Sequence, residues 1–307
     1  MKLATAITLS GQLAIKWIAK DLDIYFNKIL LTENVEYVIY IDTDSVYLNM
    51  EEFANKICGP GKSNHDITDF LDKSMKHVEQ HVITPSYQRL KEYLGCREQL
   101  MIMDREVIGS TGIWTAKKRY AINMYDKEGE RYKEPKLKIM GLETVKKDFP
   151  EICRVALKEA IRIILQEADN DNLIKFVNEF RELYHKSDYK VIAQTKSVSY
   201  VSKYYNSKTI FKSGTPYNSK AALLYNHFSK TNDIKNGAKV KIVFLKMPNQ
   251  VHYPVMGFIN ELPIGYELDK YIDYDLMFEK HFLTPLKSLT GVIGWKAEET
   301  NSLSDFF

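Results

Sequence analysis

Apolar and polar positions recur along this chain in two rhythms, and the alternation of those rhythms divides it. From Ala6 to about Lys28, Leu9, Leu13 and Trp17 recur at helical spacing alongside Ala6, Ala14 and Ile18, which predicts a helix. Val35 to Met50 reads as strand, turn and strand. Val, Ile and Tyr fill both arms, and Asp42-Thr43-Asp44 makes the connection. Glu51 to Asn64, with Gly59-Pro60-Gly61, reads as a connection. Phe70, Leu71, Met75, Val78 and Val82 precede Pro85, while Tyr87, Leu90 and Leu94 follow it, predicting two helices separated at the proline. Leu100-Met101-Ile102-Met103, Trp114 to Tyr125 and the segment around Tyr132 read as strands, with a charged turn from Asp126 to Glu130. Strands and crossover helices do not alternate here, so the expected class is α+β with an antiparallel hairpin, in a first domain of residues 1–141.

From Lys146 the helical rhythm returns. Asp148-Phe149-Pro150 looks like a helix start, and Leu157, Ile161, Ile164, Leu165 and Ala168 continue it. Leu173, Phe176, Val177 and Phe180 predict the next helix, Val240 to Lys246 a strand and Tyr271 to Phe282 a late helix. A mainly helical second domain is expected over 142–298, with a tail at 299–307.

At 307 residues the chain is long enough for two domains, and its net charge of +3 permits a nucleic-acid partner without requiring one. The three cysteines form no C-x-x-C pair and the seven histidines no zinc pattern. No stretch approaches about eighteen apolar residues, so a soluble intracellular protein with no membrane partner is expected.

Two features carry chemistry. Asp42 and Asp44 crowd two carboxylates at a hairpin tip, where a cation would offset their repulsion; a surface turn is the plainer reading of a lone D-x-D. Lys117-Lys118-Arg119-Tyr120 offers three adjacent cations for phosphate, which strand alternation would send to both faces; a solvated charge run is its plainer reading.

Tyr40-Ile41-Asp42-Thr43-Asp44-Ser45 resembles the Y-x-D-T-D-S signature of family B DNA polymerases. The resemblance covers the chain from Ala4-Thr5-Ala6-Ile7-Thr8 to Phe307 and points to the T-even-type bacteriophage replicative group, as a C-terminal part comprising the second half of the palm and the thumb. It implies that Asp44, with Asp42 as the less central partner, is catalytic and ligates two Mg2+ ions, and that Glu106 of Met103-Asp104-Arg105-Glu106 sits near the metals. Lys117, Lys118, Arg119 and Tyr120 would grip the primer strand, supported by Lys136 and Lys138. Lys196, Lys203 and Lys220 would follow the duplex from the thumb, where Asn218 and Lys220 stand in the histidine and arginine places of a family element. Leu303, Phe306 and Phe307 have the spacing of a sliding-clamp peptide, with Thr300 in the place of its glutamine.

Neither the family's D-x-x-S-L-Y-P block nor its K-x-x-x-N-S-x-Y-G block occurs here. The expectation is therefore a split polymerase subunit, inactive alone. It would complete its site with an N-terminal chain bearing the exonuclease, first palm half and fingers. The remaining expected partners are primer-template DNA, deoxynucleoside triphosphates and a sliding clamp, in the cytoplasm of an infected bacterial host. The alternative is a non-catalytic DNA-binding or accessory module with a vestigial hairpin; a nucleotide-sugar enzyme explains the D-x-D but not the lysines.

Overall fold

The computed structural model describes residues 2–299, so Thr300, Leu303, Phe306 and Phe307 lie outside the described residues. Contacts divide the chain into two units. One comprises the residues up to Gly112 with Ile122–Lys138, and the other Ile113–Ala121 with the residues from Ile139 onward. The fold is α+β with antiparallel sheets.

The first unit begins with α1, Lys2–Leu30, whose stripe of Ala14, Ile18, Leu22, Phe26 and Leu30 enters the core. Strands β1 (Val38–Asp42) and β2 (Ser45–Leu48) pair antiparallel with Asp42 opposite Ser45. Thr43 and Asp44 alone therefore make the turn.

The stretch after the hairpin is not a bare connection. Helix α2, Glu51–Phe53, runs into a π-turn at Ala54–Cys58, because Phe53 is buried with its ring 5.5 Å from that of Phe26 and 5.4 Å from that of Phe70. Nor does Pro85 break the path. Helix α3, Asn64–Val78, starts at a Ser63–Asp66 capping box and passes through a π-turn, Glu79–Ile83, into α4, Thr84–Leu94. Thr84 N–H reaches back to Glu79 O, and this wider turn shifts the His81 carbonyl that a proline ring would strike in a regular α-helix.

Leu100–Met103 forms no strand. Leu100 and Ile102 are 78% and 80% exposed, and pairing starts only at β3, Val107–Ala116. β4, Arg119–Lys127, and β5, Glu130–Met140, complete a sheet in the order β3-β4-β5. The expected strand from Trp114 to Tyr125 is thus folded at Lys117-Lys118.

In the second unit, α5 (Glu151–Arg162) follows Pro150, and α6 (Asn170–Lys186) is capped by the Asp169 side chain. Short α7 (Tyr189–Ile192) leads to β6 (Gln194–Ser197), α8 (Val201–Tyr204) and the small hairpin β7 (Tyr205–Asn206) with β8 (Ile210–Phe211). Then come α9 (Tyr217–Phe228), β9 (Lys239–Phe244), β10 (Val255–Phe258), α10 (Tyr274–Phe278) and α11 (Thr284–Thr290). Helices dominate, but an antiparallel sheet in the order β10-β9-β6 adds to them. Only the middle strand had a clear period. No helix among the described residues is long and apolar enough to cross a membrane.

Another π-turn, Glu279–Leu283, precedes Pro285 as Glu79–Ile83 precedes Pro85. It carries Phe282, whose ring lies 4.6 Å from Phe180, and His281, which is 2% exposed. Burial, with the charges of Lys196 and Lys280, pushes the His281 imidazole down to about 4. The unfolded chain takes up a proton there below about pH 6.5, and the folded chain does not until about pH 4. The contribution is fully present above pH 6.5 and shrinks as pH falls toward 4, by up to about 3 kcal/mol. Urea unfolding at pH 7 and pH 4.5 should show this loss in the wild type and not in His281→Leu. Parallel pH profiles for the two proteins would contradict it.

Candidate active site

The hairpin tip is mounted on α1. Asp23 Oδ1 accepts from the backbone N–H groups of Tyr37 (2.8 Å) and Val38 (2.9 Å). Asn27, one turn on, donates through Nδ2 to Val35 O at 2.7 Å and accepts from Val35 N–H at 3.0 Å. Tyr37 is buried against Phe26 and donates its hydroxyl proton to Glu52 Oε2 at 3.0 Å. The root of β1 is thereby fixed by backbone contacts from two helix side chains spaced four apart. Sequence inspection missed Asp23 and Asn27. The only signal was two polar residues at helical spacing beside the buried stripe of Leu22, Phe26 and Leu30.

Along the ribbon, Tyr40 and Tyr47 face each other across the strands with ring centroids 5.5 Å apart. At the tip, Asp44 N–H bonds Asp42 O at 2.6 Å across Thr43, whose φ is 52°. This is the positive-φ form of the γ-turn, rare and strained, and more so for a β-branched residue. Thr43 Oγ1 donates to Asp42 Oδ1 at 3.1 Å, and Ser45 Oγ to Asp42 O at 3.2 Å. Asp42 is half-buried and Asp44 exposed. The turn projects Asp44 outward while local hydrogen bonds orient Asp42.

Both carboxylates are hard oxygen donors of the kind Mg2+ takes. Among the described residues no three His, Cys, Asp or Glu side chains gather into a metal-ligating group, so Asp42, Asp44 and Glu106 do not form one. Glu106 is instead paired with Lys138, Nζ to Oε1 2.5 Å. Its neighbour Arg105 bridges Asp72 and the buried Asp126. Burial raises the Asp72 carboxyl, but hydrogen bonds and charge from Arg105 and Lys76 outweigh it and hold the group below the usual range. Asp104 is exposed.

The chain is 34% identical over 324 residues to the DNA-directed DNA polymerase of Enterobacteria phage T4, a match covering 99% of the chain and 35% of the relative. It is 36% identical over 327 residues to that of Escherichia phage RB69, with 99% and 35% covered. Over nearly its whole length the chain is similar to a stretch of these two phage DNA-directed DNA polymerases. DNA polymerase 1 of Pyrococcus abyssi is more distant, 27% identical over 150 residues, 48% of the chain and 15% of the relative. The chain spans about a third of the length of the two phage relatives. No family model matches it.

The expected DNA-binding cations differ in exposure and in whether they pair with a carboxylate. Lys117 and Lys118 form a turn and are exposed, not alternating along a strand. Lys118 takes φ 60°, and a Cβ at Gly141 would lie 2.0 Å from the Lys118 carbonyl oxygen. Only glycine at 141, itself at φ +67°, permits that approach. Arg119 grips Glu143 in a two-pronged pair at 3.0 and 2.8 Å, with Lys146 adding a third contact at 2.9 Å. Burial pushes the Glu143 carboxyl up, yet these bonds hold it below the usual range. The Tyr120 ring is 2% exposed and stacked near Trp114 at 6.1 Å, so it packs and offers no stacking face.

Lys136 is exposed, its Nζ 3.8 Å from the Tyr132 ring centroid. Lys196 is paired with Asp148. Exposed Lys203 lies near Tyr200 and Tyr204, and half-buried Lys220 lies over Phe211 at 4.9 Å. Asn218 donates to Ser197 O at 2.9 Å, tying α9 to the end of β6.

Replacing Asp23 with Ala leaves two backbone donors without their acceptor, which should cost about 1–3 kcal/mol. Amide exchange across residues 38–48 should accelerate along with a lower urea midpoint. An unchanged midpoint and unchanged exchange would show that the hairpin does not depend on this carboxylate.

Proposed function

We propose that this chain supplies the second palm half and the thumb of a template-directed DNA polymerase and works with a second polypeptide carrying the exonuclease, first palm half and fingers. The carrying observation is the identity with two phage DNA-directed DNA polymerases across 99% of the chain, joined by a hairpin that exposes Asp44 and holds half-buried Asp42 in local hydrogen bonds. On this reading, residues 1–141 act as palm and 142–298 as thumb. Asp44 and Asp42 would hold Mg2+, which when bound supplies Lewis-acid stabilisation of charge on the attacking and leaving oxygens. The chain's own residues orient: Thr43 and Ser45 fix Asp42, Asp23 fixes the ribbon, and Arg105 anchors the strand approach to Glu106.

Lys117, Lys118 and Lys136 would neutralise phosphates of the primer-template duplex, positioning it without reading sequence. Arg119 acts through Glu143 to hold the Lys117-Lys118 turn, and Lys203 and Lys220 would extend the grip. Leu303, Phe306 and Phe307 would tether a sliding clamp, with the assembly working in the cytoplasm of an infected bacterium.

The test is primer extension with Mg2+ using this chain, the polypeptide of the same source that bears the D-x-x-S-L-Y-P and K-x-x-x-N-S-x-Y-G blocks, and their mixture. Extension is expected only on mixing, and Asp44→Asn should lower it by about 1,000-fold or more, as loss of charge stabilisation at reacting oxygens does. Extension by this chain alone would overturn the split-site reading. Mixed extension that survives Asp44→Asn would favour the accessory reading.

A further inference from the structure

The core-facing stripe of α1 continues beyond the core. Stepping back four residues at a time from buried Ile15 reaches Gly11 and then Ile7 on the same face. Yet every side chain from Ala4 to Leu13 is exposed. Ile7 is 66% exposed, Leu9 58% and Leu13 38%, and Leu9 lies roughly on the opposite side of the helix from Ile7. This segment, Ala4-Thr5-Ala6-Ile7-Thr8-Leu9-Ser10-Gly11-Gln12-Leu13, contains no charged residue in a chain that is 27% charged. Thr8 turns its hydroxyl proton back onto Ala4 O at 2.9 Å, removing one polar group from the surface. A helix that is apolar on both sides and uncharged has the composition of one enclosed by protein.

Gly11 adds an independent mark. Glycine is a poor residue for a helix interior because it sacrifices the most backbone freedom. A Cβ at Gly11 would meet nothing within 4 Å, and its φ is not in the left-handed region. Nothing among the described residues uses the missing side chain. A helix keeps such a glycine where another backbone or a bulky side chain comes close.

We infer that Ala4–Leu13 of α1 is the docking helix for the polypeptide that supplies the rest of the polymerase, enclosed by it and approached most closely at Gly11. The inference rests on the split-polymerase reading above. The occupant follows from the comparisons: the phage relatives carry about two thirds of their length outside the matched stretch, ample chain to enclose three turns of helix. An uncharged surface excludes a nucleic-acid occupant, which would call for cations.

Gly11→Leu and Leu9→Asp separate this role from a role in folding. Leucine is the better helix former, so Gly11→Leu should leave the melting temperature of the free chain unchanged or raise it by about 1–3 °C. Calorimetric titration with the partner polypeptide named above should show at least tenfold weaker binding for each variant. Unchanged affinity in both variants would overturn the inference, as would failure of the wild-type chain to bind the partner. It would equally fall if the variants dissolved a dimer of this chain while leaving partner affinity intact. Binding and extension are read separately: wild-type binding without extension sinks the polymerase reading alone, and extension with unchanged variant affinity sinks the docking helix alone.

Discussion

The Asp23 carboxylate, accepting from two successive backbone N–H groups at Tyr37 and Val38, is the contact on which the candidate site depends. Two carboxylates at a tight turn repel each other, and a loose ribbon would relax by swinging them apart. Anchoring the root of β1 to a buried helix prevents that. Tyr37 extends the anchor into the core, the Tyr40–Tyr47 pair stiffens the middle of the ribbon, and the Thr43 γ-turn places the strain at the tip. Within the ribbon, residues 35–50, the positive φ falls on Thr43 between the two aspartates, and such strain clusters at sites that hold functional groups in place.

The cations follow a parallel logic. Arg119, Lys138 and Lys196 each lie against a carboxylate, on Glu143, Glu106 and Asp148. The Arg119 and Lys138 pairs lie on β4 and β5, the strands that adjoin or carry exposed Lys117, Lys118 and Lys136, whereas Lys196 lies on β6. A net charge of +3 therefore says little about local charge, because some cations lie against carboxylates while others stand exposed.

Much of the fold was legible where one local period decided it. The α1 stripe, the 38–48 hairpin and the start of α5 follow from spacing and turn chemistry. Long-range features were not legible. Asp23 acts on backbone groups beyond the end of its helix, which side-chain patterns do not reveal. The strand expected across Trp114 to Tyr125 turns at Lys117-Lys118, lysines that carry no turn signature, and the space for that turn comes from Gly141 across the sheet. Pro85 looks like a break until the π-turn before it is seen, and burial of Phe53 and Ala54 accompanies helix where a connection was expected. The D-x-D tip was plain, but the pairing of Glu106 with Lys138 depends on β5 lying where sequence distance does not place it.

In the proposed polymerase, Asp42 and Asp44 would form one side of a divalent-metal site whose other side arrives with a second polypeptide. Mn2+ titration followed by electron paramagnetic resonance tests it most directly. The chain, its partner and their mixture would each be titrated in the presence of primer-template and nucleotide. At least tenfold tighter Mn2+ binding is expected in the mixture than in either component, with the gain abolished by Asp44→Asn. Equal affinity in all three samples, or a gain that survives the substitution, would contradict it.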